Sequence, residues 1–153
     1  MPRVKIFGLW AAAILLTGSA SAAEPRVLKI LPHYLDLKGR ESLSPSLYER
    51  DAYQAILRRR PAERSAIRFN VQWKAKAAED HELKLRVEAR GARGNEVSVV
   101  TLEKPVRKTG WLTSWTALTL EAEAYKNFGE LVAFRATLWD GEKMLAEQKS
   151  FLW

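Results

Sequence analysis

The sequence predicts a mainly β fold: an antiparallel β-sandwich of about seven strands, with one α-helix inserted after the first strand. From Ile67 to Lys76, apolar residues alternate without a break against polar ones, which indicates a strand with one dry face. Leu83 to Arg90 repeats this alternation. Turn residues then recur at the spacing typical of a sandwich. We expect the two alternating strands to be antiparallel neighbours joined by a hairpin loop over residues 77–82.

The first residues are typical of a secretory signal peptide. Arg3 and Lys5 precede an uncharged apolar run from Ile6 to Leu16, and Ala20-Ser21-Ala22 is a small-x-small cleavage site. The apolar run has 11 residues, whereas a membrane span needs about 20, so we expect no membrane span once the signal is removed. Cleavage is predicted before Ala23 or one residue later. Residues 1–22 are therefore assigned to the signal peptide and residues 23–153 to a single domain.

The composition is consistent with a protein outside the cytosol. The chain has 153 residues, a formal net charge of +7 and no cysteine. Loss of the predicted signal peptide removes two positive charges and leaves a net charge of about +5. A domain of this length can be held by its core without disulfides. We predict a secreted or periplasmic protein.

The first strand and the helix are predicted from local signals. Pro32 lies inside the apolar run Val27 to Leu37 and cannot donate to a sheet ladder, so this strand should be at an edge or broken there. Ser46 and Glu49 have the spacing of a capping box, which predicts a helix over about residues 46–60. The side expected to dock on the sheet comprises Tyr48, Ala52, Ala55 and Ile56, extended by Tyr53 and Leu57. The arc expected to face solvent comprises Arg50, Asp51, Gln54 and Arg58.

The second half of the chain reads as four more strands. They are predicted over Val97 to Leu102, Trp111 to Ala124, Leu131 to Trp139 and Met144 to Trp153. Asp140-Gly141 predicts a tight hairpin between the last two. On the third of these strands, alternation assigns Val132, Phe134, Ala136 and Leu138 to the core side. The predicted shared core comprises Phe69, Val71, Trp73, Leu85, Val87, Phe134 and Leu138.

Seven short strands in this order, with Trp73 on the second one, resemble an immunoglobulin-like or fibronectin-III-like β-sandwich. The resemblance covers roughly Val27 to Trp153 and concerns the fold alone. The chain departs from the pattern because it has no inter-sheet cysteine pair and no tyrosine before Phe134 in the position of a tyrosine corner. The helix is also an insertion on this plan. A fold-level resemblance transfers no functional residue.

Motifs for catalysis and metal binding are missing from the sequence. The two histidines, His33 and His81, lie far apart in the chain, and there is no cysteine to complete a metal site. The polar run Glu79-Asp80-His81-Glu82 could attract a cation, but it lacks the alternate spacing and the glycine of a calcium loop. No phosphate-binding glycine loop or nucleophile elbow occurs. We therefore predict no enzyme activity, no metal and no cofactor.

Basic residues are densest around the predicted helix end, at Arg58, Arg59, Arg60, Arg64 and Arg68. A nucleic-acid site would need interleaved aromatic residues and a cytosolic address, so we expect no nucleic-acid partner. An acidic partner at the cell envelope is one interpretation of this cluster. The other is ordinary charge that complements the helix dipole.

The candidate ligand-binding residues are Trp111, Trp115 and Trp139, with Arg135 as a basic neighbour. Simple alternation places these residues on the polar side of their strands. Exposed aromatic rings can stack on sugars or anchor a protein partner. The alternative is a structural role, since a bulge near Ser114 would turn Trp115 inward.

These observations predict a secreted or periplasmic, non-enzymatic binding module whose ligand is a protein or a glycan at the cell envelope. The alternative is a structural or accessory subunit of a cell-envelope assembly, which would pair through an edge strand. The oligomeric state is left open by the sequence.

Overall fold

Two antiparallel β-sheets form the structure, a computed structural model that describes residues 24–75, 82–107 and 112–153. The strands are β1 (Arg26–Asp36), β2 (Arg64–Lys74), β3 (Glu82–Arg93), β4 (Glu96–Arg107), β5 (Ser114–Leu120), β6 (Glu130–Asp140) and β7 (Lys143–Lys149). The helices are α1 (Leu47–Arg59) and α2 (Ala122–Phe128), and a 3₁₀ turn covers Pro61–Glu63. The predicted signal peptide, most of the loop predicted over residues 77–82, and Trp111 lie outside the described residues.

The two sheets contain three and four strands, in the orders β1-β2-β5 and β4-β3-β6-β7. The predicted mainly β sandwich, with a helix after the first strand, is confirmed. The predicted pairing of the two most regular strands is wrong, because β2 and β3 lie in different sheets. Each turns its apolar face toward the other sheet, so they share the core without sharing a ladder. Alternation specifies which face is dry, but it does not specify the neighbouring strand.

The core lies between the sheets where the sequence places it. Six of the seven predicted core residues are almost completely buried: Phe69, Val71, Trp73, Leu85, Val87 and Leu138. Phe134 is only partly buried and packs against them, with its ring centroid 6.2 Å from that of Phe69. Residues from both sheets therefore interdigitate as expected for a sandwich.

The start of β6 departs from simple alternation. Val132, predicted on the core side, is 46% exposed, and Leu131 packs against the core instead. The register against β3 shifts here, because Arg90 pairs with Ala133 while Gly91 pairs with Leu131. One extra residue in β6 therefore inverts the faces on its two sides, as a β-bulge does.

The strand predicted up to Ala124 ends earlier, at Leu120. The following residues form α2, in which Ala122 and Ala124 are exposed and Phe128 is buried. Alanine and glutamate favour a helix over a strand, and Phe128 anchors the helix to the core. The last predicted strand also ends early, because β7 stops at Lys149 and a turn follows.

Helix α1 begins as predicted but faces the opposite way. Ser46 Oγ accepts a hydrogen bond from the Glu49 amide at 3.5 Å, as an N-cap does. Gln54, predicted in solvent, is 1% exposed, whereas Tyr48, predicted to dock, is 84% exposed. Of the predicted docking face, only Tyr53 and Leu57 at its margin contact the core. The prediction of the docking face is wrong by about half a turn.

The surface that α1 meets explains its orientation. β1 is an edge strand, as Pro32 predicts, and it runs without a break through Pro32. Gln54 Oε1 accepts from the Tyr34 amide at 2.8 Å, and Gln54 Nε2 donates to the Tyr34 carbonyl at 2.8 Å. The side-chain amide thus pairs with edge-strand backbone, which a leucine could not do. None of the described helices is long and apolar enough to cross a membrane.

Candidate functional site

Trp139 and Arg135 lie on the outer face of the four-stranded sheet, on the same strand, β6. Trp139 Nε1 donates to Thr137 Oγ1 at 2.8 Å, which holds the indole along the strand. On the neighbouring strand β3, the guanidinium carbon of Arg86 lies 4.9 Å from the Trp139 ring centroid. This is a cation–π distance. The structure therefore brings two of the predicted site residues to one surface.

Trp153 joins this surface from the C-terminal turn. Its ring centroid lies 4.2 Å from the guanidinium carbon of Arg90 and 4.8 Å from that of Arg135. The turn is held by Ser150, whose amide donates to the Phe134 carbonyl at 2.8 Å. Ser150 Oγ also accepts from the Phe134 amide at 3.0 Å. We call the set Arg86, Arg90, Arg135, Trp139 and Trp153 the aromatic–basic face.

Trp153 is not among the predicted site residues, because alternation extends the last predicted strand to the end of the chain. A signal was present, since Phe151, Leu152 and Trp153 are three consecutive apolar residues, which an alternating strand would not contain. Phe151 is fully exposed, whereas Trp153 is folded back onto the sheet.

Ion pairs order most of the cations on this surface. Arg135 contacts Glu88 at 2.6 Å and Glu147 at 3.4 Å. Arg86 contacts Glu103 at 2.6 Å. Hydrogen bonds from Arg86, and to a lesser extent from Lys84, lower the pKa of the Glu103 carboxyl. Arg90 is exposed, contacts the Trp153 ring and makes no ion pair with another described residue. Arg90 is therefore the cation on this face that is most available to a ligand.

A third predicted residue, Trp115, is not part of this face. Trp115 is on β5, opposite Gln72 in the three-stranded sheet, and is 52% exposed. Trp111 lies outside the described residues. The alternative, in which a bulge near Ser114 turns Trp115 inward, does not occur, because β5 pairs with β2 without a register shift.

A cleft of about 690 Å³ lies at one end of the sandwich, beside Arg64, Tyr125 and Glu130. The Arg64 side chain is 2% exposed, and its Nε donates to the Leu57 carbonyl at 2.5 Å at the end of α1. Its Nη1 donates to both carboxylate oxygens of Glu130, at 2.7 and 2.9 Å. Burial raises the pKa of Tyr125 and so disfavours the phenolate further. These contacts give Arg64 a structural role, because it joins the end of α1 to β6. None of the described residues that line this cleft is an activated base.

A smaller groove of about 460 Å³ separates α1 from the edge of β1, beside His33, Arg50 and Arg58. Burial lowers the pKa of His33; Glu41 opposes this shift, while Arg50 and Arg58 add to it. His33 is thus neutral at pH 7, with the Asn70 amide nitrogen 3.1 Å from its Nδ1. Among the described residues, no three histidine, aspartate or glutamate side chains converge in a way that could hold a metal ion.

Comparison with known proteins found no relative of this chain. No family model, no curated protein and no solved structure matches it. Since a sandwich can host many activities, its function has to be argued from the surface chemistry of this chain.

Proposed function

We propose that this protein is a secreted or periplasmic, non-enzymatic β-sandwich that binds a protein or a glycan through its aromatic–basic face. One observation carries the proposal: Trp139 and Trp153 are half-buried and lie together on the outer face of the four-stranded sheet, beside three arginines. Aromatic rings with adjacent guanidinium groups supply stacking and directional hydrogen bonds to one ligand.

Export is part of the proposal. It rests on the charged, apolar and small-residue regions of residues 1–22, and a chain with no cysteine is compatible with an oxidising compartment. Mass measurement of the protein recovered from envelope or culture fractions tests it. Retention of Met1 to Ala22 in that material would contradict it.

We also infer that the domain belongs to the immunoglobulin-like class of sandwiches. The inference is supported by the strand order, in which the first, second and fifth strands form one sheet and the third, sixth and seventh lie in the other. In a constant-type immunoglobulin domain the fourth strand joins the first sheet, whereas β4 here pairs with β3. This difference favours the fibronectin-III-like form of the resemblance.

The binding proposal is tested by capture of partners from an envelope extract with immobilised protein. Arg90→Ala and Trp139→Ala each remove one group of the aromatic–basic face. We expect each to reduce the captured material by about tenfold, since a central aromatic or arginine anchor is typically worth more than 1 kcal/mol. Trp115→Ala is the matched control, because it removes an exposed tryptophan from the other sheet.

Thermal unfolding of each variant distinguishes lost binding from lost folding. The proposal fails if the Trp115 variant loses its partners while the Trp139 and Arg90 variants keep theirs. It also fails if all three folded variants capture the same material as the unmodified protein.

The second candidate is an accessory subunit of an envelope assembly that pairs through an edge strand. The observation that favours it is β4, a 12-residue strand at the edge of its sheet with Val97 71% exposed and Val99 62% exposed. Exposed edges of this kind accept a further strand. Val97→Lys should then abolish assembly, and it changes a residue opposite Ala92, not one opposite a member of the aromatic–basic face.

A further inference from the structure

The outward side of α1 carries an apolar stripe that the domain does not cover. The outer stripe, as we call it, consists of the apolar or small residues Tyr48, Ala52, Ala55 and Ile56 and ends at Arg59; all five share one side of the helix at 100° per residue. Tyr48 is 84% exposed and Ile56 is 40% exposed. Leu43 and Leu47, just before and at the start of the helix, are also exposed. Such a concentration of apolar surface marks a contact site.

This stripe cannot be buried within its own domain by a rotation of the helix. Gln54, on the opposite side, makes two hydrogen bonds to Tyr34 and donates to the Glu41 carbonyl at 2.8 Å. The Tyr53 hydroxyl donates to Asp36 Oδ2 at 2.8 Å, and Arg64 holds the last turn through the Leu57 carbonyl. Polar contacts from Tyr53 to Leu57, in the second half of the helix, thus fix α1 with its apolar side outward.

We propose that the outer stripe is the interface of a homodimer in which the α1 helices of two copies pack antiparallel about a two-fold axis. Ala52 and Ala55 mark the crossing point, since their small side chains allow two helices to approach closely. With Ala52 of one copy opposite Ala55 of the other, Tyr48 lies opposite Arg59 at each end. An interface related by a two-fold axis must be self-complementary. The outer stripe meets this condition, because each residue named here lies opposite another residue of the same stripe.

The flanking charges select the antiparallel arrangement. With that crossing point, Asp51 of each copy lies beside Arg58 of the other, and Glu49 lies beside Arg60. The Asp51 side chain is 74% exposed, and among the described residues its ion pair is with Arg50 at 3.5 Å. Arg60 contacts Glu63 at 3.0 Å on an exposed surface, a weak pair. A parallel arrangement would instead place Glu49 beside Asp51 and Arg58 beside Arg60, which is repulsive.

The same charges argue against an anionic lipid surface as the occupant. Glu49 and Asp51 flank the first half of the outer stripe and would be repelled by it, whereas a second copy uses both the acidic and the basic half. A 13-residue helix is about 20 Å long, and a pair of such helices buries less than the roughly 800 Å² per partner of a standard interface. We therefore expect a weak dimer whose population depends on concentration.

The first test is a charge swap measured by sedimentation equilibrium. Asp51→Arg and Arg58→Asp should each weaken the dimer by about tenfold, because each creates two like-charge pairs across the two-fold axis. The double variant, D51R with R58D, should restore the original affinity. Glu142→Arg, in the exposed turn between β6 and β7, is the control for the change in net charge and should have no effect.

The second test is cysteine cross-linking, which is clean because the chain has no cysteine of its own. In the antiparallel pair, the two copies of residue 52 are offset by about 4.5 Å along the helix axis, and the two copies of residue 48 by about 16 Å. Ala52→Cys should therefore cross-link with a short bismaleimide, and Tyr48→Cys should not. Both substitutions are on the exposed side, and thermal unfolding confirms that the variants fold.

Three outcomes would overturn the dimer: a protein that stays monomeric up to about 1 mM, equal cross-linking at residues 48 and 52, or a double charge variant that does not regain affinity. Binding of the monomer to anionic vesicles, abolished by Tyr48→Ser, would show instead that the stripe faces a lipid surface. The dimer is independent of the proposed ligand face, so either proposal can fail without the other.

Discussion

The interface between the two sheets and the helix α1 both have regular apolar patterns. The first buries nearly all the residues that its pattern selects, whereas α1 buries Leu57 and part of Tyr53 and leaves the others outside the core. Between the sheets, alternating positions such as Phe69 and Leu85 are completely buried. On α1, Tyr48 and Ile56 face outward and Gln54 is buried. The difference lies in the neighbour. Each sheet meets another apolar sheet face, whereas α1 meets the backbone of an edge strand, which needs hydrogen-bonding partners.

The largest effect should come from the inter-sheet core. Phe69→Ala removes a completely buried ring and should lower the free energy of unfolding by about 3 to 5 kcal/mol. Phe134→Ala should cost clearly less, because that ring is only partly buried. Urea denaturation of the two variants measures both losses. A loss for Phe134→Ala that equals or exceeds that for Phe69→Ala would show that the boundary of the core is misplaced.

The next effect tests the polar docking of α1. Gln54→Leu keeps the size of the side chain but leaves the Tyr34 amide and carbonyl without their side-chain partners. We expect a loss of about 3 kcal/mol in the free energy of unfolding, the cost of burying unpaired polar groups. An equal or higher stability of the leucine variant would mean that apolar contact, and not hydrogen bonding, attaches the helix.

A smaller effect should appear at low pH, where we expect the attachment of α1 to weaken before the inter-sheet core does. Burial alone would raise the pKa of the Asp36 carboxyl, but hydrogen bonds from Arg40, Tyr53 and Lys38 hold it well below its usual value. A lowered folded-state pKa contributes stability that is complete above the unfolded pKa of about 3.9 and is lost as the pH falls below it. We expect α1 amides to exchange hydrogen faster in this acidic range than the amides of β2 and β3.

Asp36→Asn is the control for that titration. At pH 7 the variant should lose about 2 kcal/mol, the typical worth of hydrogen bonds to a charged group. Below about pH 4 its stability should fall less steeply than that of the unmodified protein, because the titrating group is gone. Identical pH slopes for the two proteins would assign the acid sensitivity to other carboxylates.

The smallest expected effect is the counterpart of the Gln54 change. Ile56→Gln puts a polar side chain on the exposed side of α1, and we expect a change within about 0.5 kcal/mol in the dilute monomer. Urea denaturation at low protein concentration measures it. A loss comparable to that of Gln54→Leu would mean that the helix docks through its apolar side after all.

The candidate site was predictable in part. Alternation placed Trp139 and Arg135 on the outer side of β6, and the structure brings them to one surface. Trp153 was not predictable as their neighbour, because its position depends on a turn held by the Phe134 backbone 16 residues earlier in the chain. Arg90 was not predictable as a site residue either, because the ring that it contacts, Trp153, is positioned by the same turn.

By itself, the sequence determined the strand class, the buried faces of β2 and β3, the N-cap of α1 and the edge position of β1, because period-two alternation, a capping side chain and a proline act within a few residues. Only the tertiary structure decided that β2 and β3 belong to different sheets, that α1 docks through Gln54, and that a bulge turns Val132 outward. Each of these depends on groups supplied by a distant part of the chain. A local pattern shows which side of an element is apolar, but the partner surface decides which side is buried.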